Sequence, residues 1–156
     1  MSPSDDSDLS PTLNARLDGW NAAMGLRFVR ATADEVIAEW TVGPQHLQPY
    51  GLVHGGVYSG VIETVASVGA AVYGMAQGLS VVGLDNHTSF LRAVREGTLR
   101  VTAKPLVRGR RTQVWEATVT DEAGRVAASG RVRLLCLEAG AQVAGEVVAV
   151  KHGAQE

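Results

Sequence analysis

From Val57 to Met75 apolar and small residues follow one another almost without a break, and the one carboxylate among them is Glu63. Val57, Val61, Val65, Val68, Val72 and Met75 recur at helical spacing, with Gly60, Ala66, Gly69, Ala70 and Gly74 on the other faces. A helix that is apolar nearly all round is a buried one. Valine and glycine are weak helix formers, so this helix must be held by what packs on it. The polar stretch Gln48–His54 leads into it, and Gly55-Gly56 opens it.

The flanking pattern changes period. Before the helix, Leu13, Leu17 and Trp20 predict a short amphipathic helix over Thr12–Ala23, followed by strands at Leu26–Arg30 and Val36–Val42. The link from Ala31 to Glu35 is short enough for a hairpin. After the helix, strands are predicted at Ser80–Val94, Thr98–Val107, Thr112–Thr120 and Arg125–Leu137, separated by Arg95-Glu96-Gly97, Arg108–Arg111 and Asp121–Gly124. The order β-β-α-β-β-β-β with short turns implies an α+β fold, an antiparallel sheet with one face covered by the long helix. Residues 12–138 form the single domain. Residues 1–11, rich in Ser, Asp and Pro, are expected to be a disordered tail, and residues 139–156 a second tail with a strand at Glu146–Val150.

Composition narrows the function classes. A chain of 156 residues with 46% hydrophobic residues and a net charge of −2 suits one globular domain with a sizeable core, and its mild acidity argues against nucleic acid as a partner. Cys136 is the one cysteine, which excludes an internal disulfide and a cysteine-rich zinc site; it sits in an apolar run, as a buried structural thiol does. The acidic, polar N-terminus is not a secretory signal, so a cytoplasmic protein is expected. The long helix approaches membrane-spanning length, but its interior glutamate, its glycines and the charged strands after it argue against membrane insertion. His46, His87 and His152 show no metal-ligand spacing, and no phosphate-binding glycine loop is present.

The candidate chemistry gathers around the helix start. A glutamate among apolar residues is costly unless paired or used. Ser67 lies four residues on, on the same helix face as Glu63. Gly55 and Gly56 leave backbone N–H groups at the positive end of the helix dipole free of side chains, where a carbonyl oxygen gaining negative charge can be held. All lie within about two turns, or roughly 11 Å. His54 is either a base or a residue that shapes the turn.

Gln48, Gly51, His54-Gly55-Gly56 and Glu63 resemble the motif of the hotdog-fold acyl-CoA thioesterases of the 4-hydroxybenzoyl-CoA and phenylacetate-pathway type: an amide residue, a Gly, His-Gly-Gly, then an acid in the next helix. Ser89–Ala93, Val107–Arg111 and Asp121–Gly130 extend the resemblance over roughly residues 20–138. Gln48 stands where Asn is commoner, Glu63 where Asp is commoner, and Ala93 where Pro is usual. The resemblance implies a hotdog fold, an antiparallel sheet wrapped around one long central helix, and hydrolysis of an aryl or short to medium acyl-CoA without metal or redox cofactor. It implies that Gly56, with Gly55, polarises the thioester carbonyl. Glu63 attacks it or activates water, Gln48 positions carbonyl or water, and Ser67 orients water or carboxylate. His54 shapes the site. It further implies a homodimer or homotetramer in which Glu63 and the His-Gly-Gly backbone of one site come from opposite chains. Arg92, Arg108, Arg110 and Arg111 are the candidate contacts for the CoA phosphates, which arginine can grip through two hydrogen bonds. An enoyl-thioester hydratase or dehydratase on the same fold, and a non-catalytic acyl-CoA binding protein, are the alternatives.

Overall fold

The computed structural model describes residues 7–151. Two short helices, α1 (Ser10–Ala15) and α2 (Gly19–Ala23), precede the hairpin β1 (Arg27–Ala31) and β2 (Val36–Thr41). A single 3-10 turn at Pro44–His46 leads to α3 (Gly55–Met75), and β3 (Ser80–Phe90), β4 (Thr98–Arg108), β5 (Thr112–Thr120) and β6 (Val126–Leu137) follow. These six strands form one antiparallel sheet in the order β1-β2-β4-β5-β6-β3, and α3 touches every strand of it. This is the predicted α+β architecture, a sheet wrapped around one central helix.

The core is the seam between sheet and helix. In β5 the alternation is strict: Gln113, Trp115, Ala117 and Val119 face inward, and the residues between them are half-buried. Val36, Ala38 and Trp40 on β2 and Leu99, Val101 and Ala103 on β4 do the same. On α3 the buried stripe is Val57, Tyr58, Val61, Ile62, Val65, Ala66, Gly69, Ala70 and Gly74. The expectation of burial all round is corrected here: Gly60, Glu63, Thr64, Ser67, Val68, Ala71 and Val72 form a half-open second face. α3 has the length and apolarity of a membrane span, but its buried stripe packs on the sheet.

A small residue sets how closely the helix sits. A Cβ built on Gly69 would lie 2.4 Å from the Trp115 ring. That ring cannot retreat, because Trp115 is fully buried and its Nε1–H donates to Gln113 Oε1 at 2.9 Å. Gln113 in turn donates to the Ala70 carbonyl at 3.2 Å, tying β5 to the same turn of α3.

Several predicted boundaries move; β3, expected to run to Val94, ends at Phe90. The helix expected over Thr12–Ala23 is broken in two, with Gly19 at φ +52, a value that favours glycine. The tail expected through Pro11 docks from Asp8 onward: Asp8 Oδ1 accepts from the Ala31 N–H at 2.8 Å, and the Leu9 N–H donates to Ala31 O at 2.9 Å. Residues 1–6 lie outside the described residues. The strand expected at Glu146–Val150 is instead half of a two-residue hairpin, β7 (Gln142–Val143) with β8 (Glu146–Val147).

Gly69→Ala tests the seam. Alanine raises helix propensity by about 1 kcal/mol, but the collision with a pinned indole belongs to the overpacking range of about 1–3 kcal/mol. A net loss of about 1–2 kcal/mol in urea unfolding is expected; an unchanged midpoint would show that the helix moves off the sheet at little cost.

Candidate active site

The loop before α3 is built from backbone hydrogen bonds and one arginine. Gln48 N–H donates to Leu52 O at 2.8 Å and Gly51 N–H to Gln48 O at 2.8 Å. Gly51 has φ +73, which a side chain would strain. Tyr50 N–H donates to the Gln48 side-chain oxygen, so the Gln48 amide N–H groups are the part left to meet a substrate. Arg95 Nη1 donates to the carbonyls of Tyr50 (2.6 Å) and Gly51 (3.3 Å). Val53 N–H donates to Val94 O at 2.8 Å, fixing the loop to the chain that leaves β3.

His54 is the N-cap of α3. Its Nδ1 accepts from the Gly56 N–H at 2.8 Å, so the ring proton sits on Nε2. The Gly56 N–H named for the carbonyl is therefore engaged by His54, whereas the Gly55 N–H has no acceptor among the described residues. His46, which sequence reasoning set aside, is buried and carries this turn: its Nδ1 accepts from Gly43 N–H, its Nε2–H donates to Met24 O (both 2.8 Å), and its carbonyl accepts from His54 N–H.

A cleft of about 330 Å³ opens beside this helix start, bordered by Gln48, Leu52, Gly55, Tyr58, Phe90 and Arg92 among others. The Phe90 ring lies against Gly55, where a Cβ would come within 2.4 Å of it, and its centroid is 6.1 Å from that of Tyr58. The Tyr58 hydroxyl is buried with no hydrogen-bond partner among the described residues, and burial pushes the phenol above its ordinary pKa, so it stays a donor at neutral pH.

Glu63 is half-buried on the second face of α3. No facing arginine or lysine pairs with it among the described residues. Its Oε2 accepts from Asn86 Nδ2 at 3.0 Å, and its Oε1 lies 3.5 Å from Ser67 Oγ. Asn86 also donates to Ser59 O at 3.0 Å and accepts from the Thr88 hydroxyl at 2.7 Å. Gly83 makes room: a Cβ there would sit 2.4 Å from Glu63 Oε1. Eight residues of helix separate Gly55 from Glu63, about 12 Å of rise, so the structure does not bring the two together within one chain.

The four arginines are also divided. Arg92 is exposed at the cleft. Arg108 is stacked over Tyr73 (4.7 Å) and Trp115 (5.9 Å) and paired with Asp34, so it is held by the fold. Arg110 and Arg111 are exposed on the β4–β5 turn, near the start of β3, where Arg111 O accepts from Cys136 N–H and Cys136 pairs with Val81. Phe90 and Arg92 lie at the other end of that strand. Among the described residues no three His, Cys, Asp or Glu side chains gather as a metal site would need.

Residues 50–128 match the family model described as Thioesterase superfamily. The chain belongs to the thioesterase superfamily. A Mycobacterium tuberculosis protein provisionally named an esterase is 43% identical over 141 residues, covering 89% of this chain and 99% of that protein. Its solved structure superposes with a TM-score of 0.76, at 45% identity over 77% of this chain and 97% of that one. The 1,4-dihydroxy-2-naphthoyl-CoA hydrolase of Escherichia coli is 37% identical over 110 residues, 70% of this chain and 79% of that protein. A Haemophilus influenzae thioesterase structure matches with a TM-score of 0.77 at 28% identity, over 83% of this chain and 90% of that one. This member of the thioesterase superfamily has the hotdog fold and is a thioester hydrolase.

Sequence reasoning missed Arg95, Gly83, Asn86 and Tyr58. Gly83, inside the apolar run Val81-Val82-Gly83-Leu84, carried a signal: glycine in a strand interior marks a close approach. Asn86 carried none, since nothing local says which face of β3 it takes.

Tyr58→Phe removes a buried hydroxyl that has no partner among the described residues, so it is expected to leave stability unchanged or to raise it, within about 1 kcal/mol. A clear drop in calorimetry would show that the hydroxyl finds an acceptor in the assembled protein.

Proposed function

We propose that this chain hydrolyses acyl-CoA to a free acid and CoA at a site shared by two copies of the chain. The observation that carries the reading is the Gly55 N–H, without an acceptor among the described residues, beside a largely apolar cleft that also holds Gln48. An apolar acyl group fits such walls, and the thioester carbonyl oxygen accepts from the Gly55 N–H at the positive helix end. Gln48 donates through its amide nitrogen to the carbonyl or to water.

Glu63 supplies the chemistry in one of two ways. Its carboxylate adds to the carbonyl carbon, the C–S bond breaks, the sulfur leaves with the electron pair and takes a proton, and water then cleaves the anhydride. Alternatively it takes a proton from water as that water adds. Both routes consume one water and yield acid and thiol. A hydratase would need a histidine free to work on the substrate carbons, whereas the His54 ring caps the helix.

A helix cannot shorten by 12 Å, so the carboxylate that completes this cleft comes from a second copy. β3 supports that assembly: it is an edge strand of eleven residues, and Leu84 and Phe90 on it are exposed. Such an edge is a template for pairing. A two-fold axis near its middle runs two β3 strands antiparallel. It carries the Gly55 end of one chain toward the partner subunit's Glu63, and the partner's Arg110-Arg111 turn toward the cleft beside Arg92, where CoA phosphates would be met. A homodimer, or a homotetramer made of two, is the proposed state. Cys136 is a free thiol, which suits a reducing compartment such as the cytoplasm.

Glu63→Ala is expected to lower kcat at least about 100-fold with folding retained, read by thiol release from a panel of benzoyl-, acetyl-, octanoyl- and palmitoyl-CoA. Near wild-type turnover would remove Glu63 from the mechanism. The shared site is tested by mixing. Glu63→Ala and Gln48→Ala proteins, each impaired alone, are expected to recover activity after subunit exchange, because hybrid dimers hold one intact site. Exchange verified by mass spectrometry with no recovery would place each site within one chain.

A further inference from the structure

Glu63 is held by neutral donors, and one of them is itself fixed on every side. Both N–H bonds of the Asn86 amide are spent, one on Ser59 O and one on Glu63 Oε2, each at 3.0 Å. Its Oδ1 accepts from the Thr88 hydroxyl at 2.7 Å. Flipping the amide would set its oxygen against two acceptors and lose both bonds, so one orientation is selected. Thr88 has its place because β6 carries glycine opposite it: a Cβ on Gly130 would come within 2.5 Å of Thr88 Oγ1. The strand is irregular here as well. The pairing of β3 with β6 shifts register between Gly83 and Asp85. The extra residue reverses the alternation, so that Gly83 and Asn86, three apart, both meet Glu63. The two carboxylate oxygens therefore differ. Oε2 is bound to a locked amide. Among the described residues Oε1 has only Ser67 Oγ, at 3.5 Å, as a polar partner, and it packs against Gly83 in the place a Cβ would take.

We propose that Asn86 is the positioning residue for the reacting carboxylate: it anchors Glu63 through Oε2 and leaves Oε1 as the oxygen that attacks carbonyl or deprotonates water. This rests on the role of Glu63 proposed above. An amide anchor fixes the side chain through a neutral hydrogen bond, without the opposite charge that an arginine would bring.

The test compares Asn86→Asp and Asn86→Ala with Glu63→Ala, using the fastest ester of the four-member CoA panel. Asn86→Asp keeps the shape and the Thr88 bond but faces Glu63 with a second carboxylate. One proton is then shared by the pair up to higher pH, and the acid limb of kcat/KM is expected to move up by about one pH unit or more. Asn86→Ala is expected to lower kcat about 10- to 100-fold with KM changed less than about threefold. A role confined to tying β3 to α3 would change melting temperature without moving the pH limb. An acid limb at the wild-type position in folded Asn86→Asp, or wild-type kcat in Asn86→Ala, overturns the proposal. If Asn86→Asp does not fold, the kcat and KM of Asn86→Ala decide. Glu63→Ala separates the two readings: activity in that variant sinks the proposed function, whereas its loss beside wild-type Asn86 variants sinks only the role of Asn86.

Discussion

The rigidity of α3 is the constraint on which the rest of the arrangement depends. A regular helix fixes the distance from Gly55 to Glu63 by residue count alone, at about 12 Å. No rearrangement of loops closes that gap, so the open N–H group and the carboxylate on this helix do not meet within one chain. The close seat of α3 on the sheet, with Gly69 against the Trp115 ring, keeps the helix from tilting to compromise. In the shared site proposed above, a second copy would cover the half-open second face of the helix and the edge of β3.

Around the helix start and around Glu63 the chain relies mostly on backbone and neutral side chains. At the helix start, His54 spends Nδ1 on the Gly56 N–H, and buried His46 ties the turn to Met24 and Gly43. Arg95 is charged, but its contacts in the loop are carbonyls. At Glu63 the partners are an amide and a hydroxyl. The ion pairs are kept elsewhere, as where Glu39 bridges Arg27 and Arg100 on the outer face of the sheet. Among the described residues Glu63, the carboxylate proposed to react, has no cation beside it, while Glu39 has two.

The motif residues were legible because their spacing is local. Gln48, Gly51, His54-Gly55-Gly56 and Glu63 lie within sixteen consecutive positions, and a loop followed by a helix can present them in essentially one way. Strand boundaries were legible for a similar reason: alternation and turn residues act over a few positions, and β5 came out with both predicted ends. The N-terminal segment was misread because docking decides it. Asp8 and Leu9 are ordered by bonds to Ala31, over twenty residues away.

The sequence by itself determined the order of elements, the long central helix, the small residues that let a sheet close on it, and the cluster of an amide, a glycine pair and a carboxylate. Hydrophobic period and backbone chemistry are short-range properties, so one strand of letters carries them. Only the tertiary structure decided which faces stay open and what the carboxylate touches. Asn86 and Gly83 reach Glu63 from β3 through a register shift that no alternation pattern reveals, and Arg108, which reads as part of a basic turn, is drawn inward over Tyr73 and Trp115. Those outcomes depend on contacts between residues far apart in the chain, where packing overrides the local pattern.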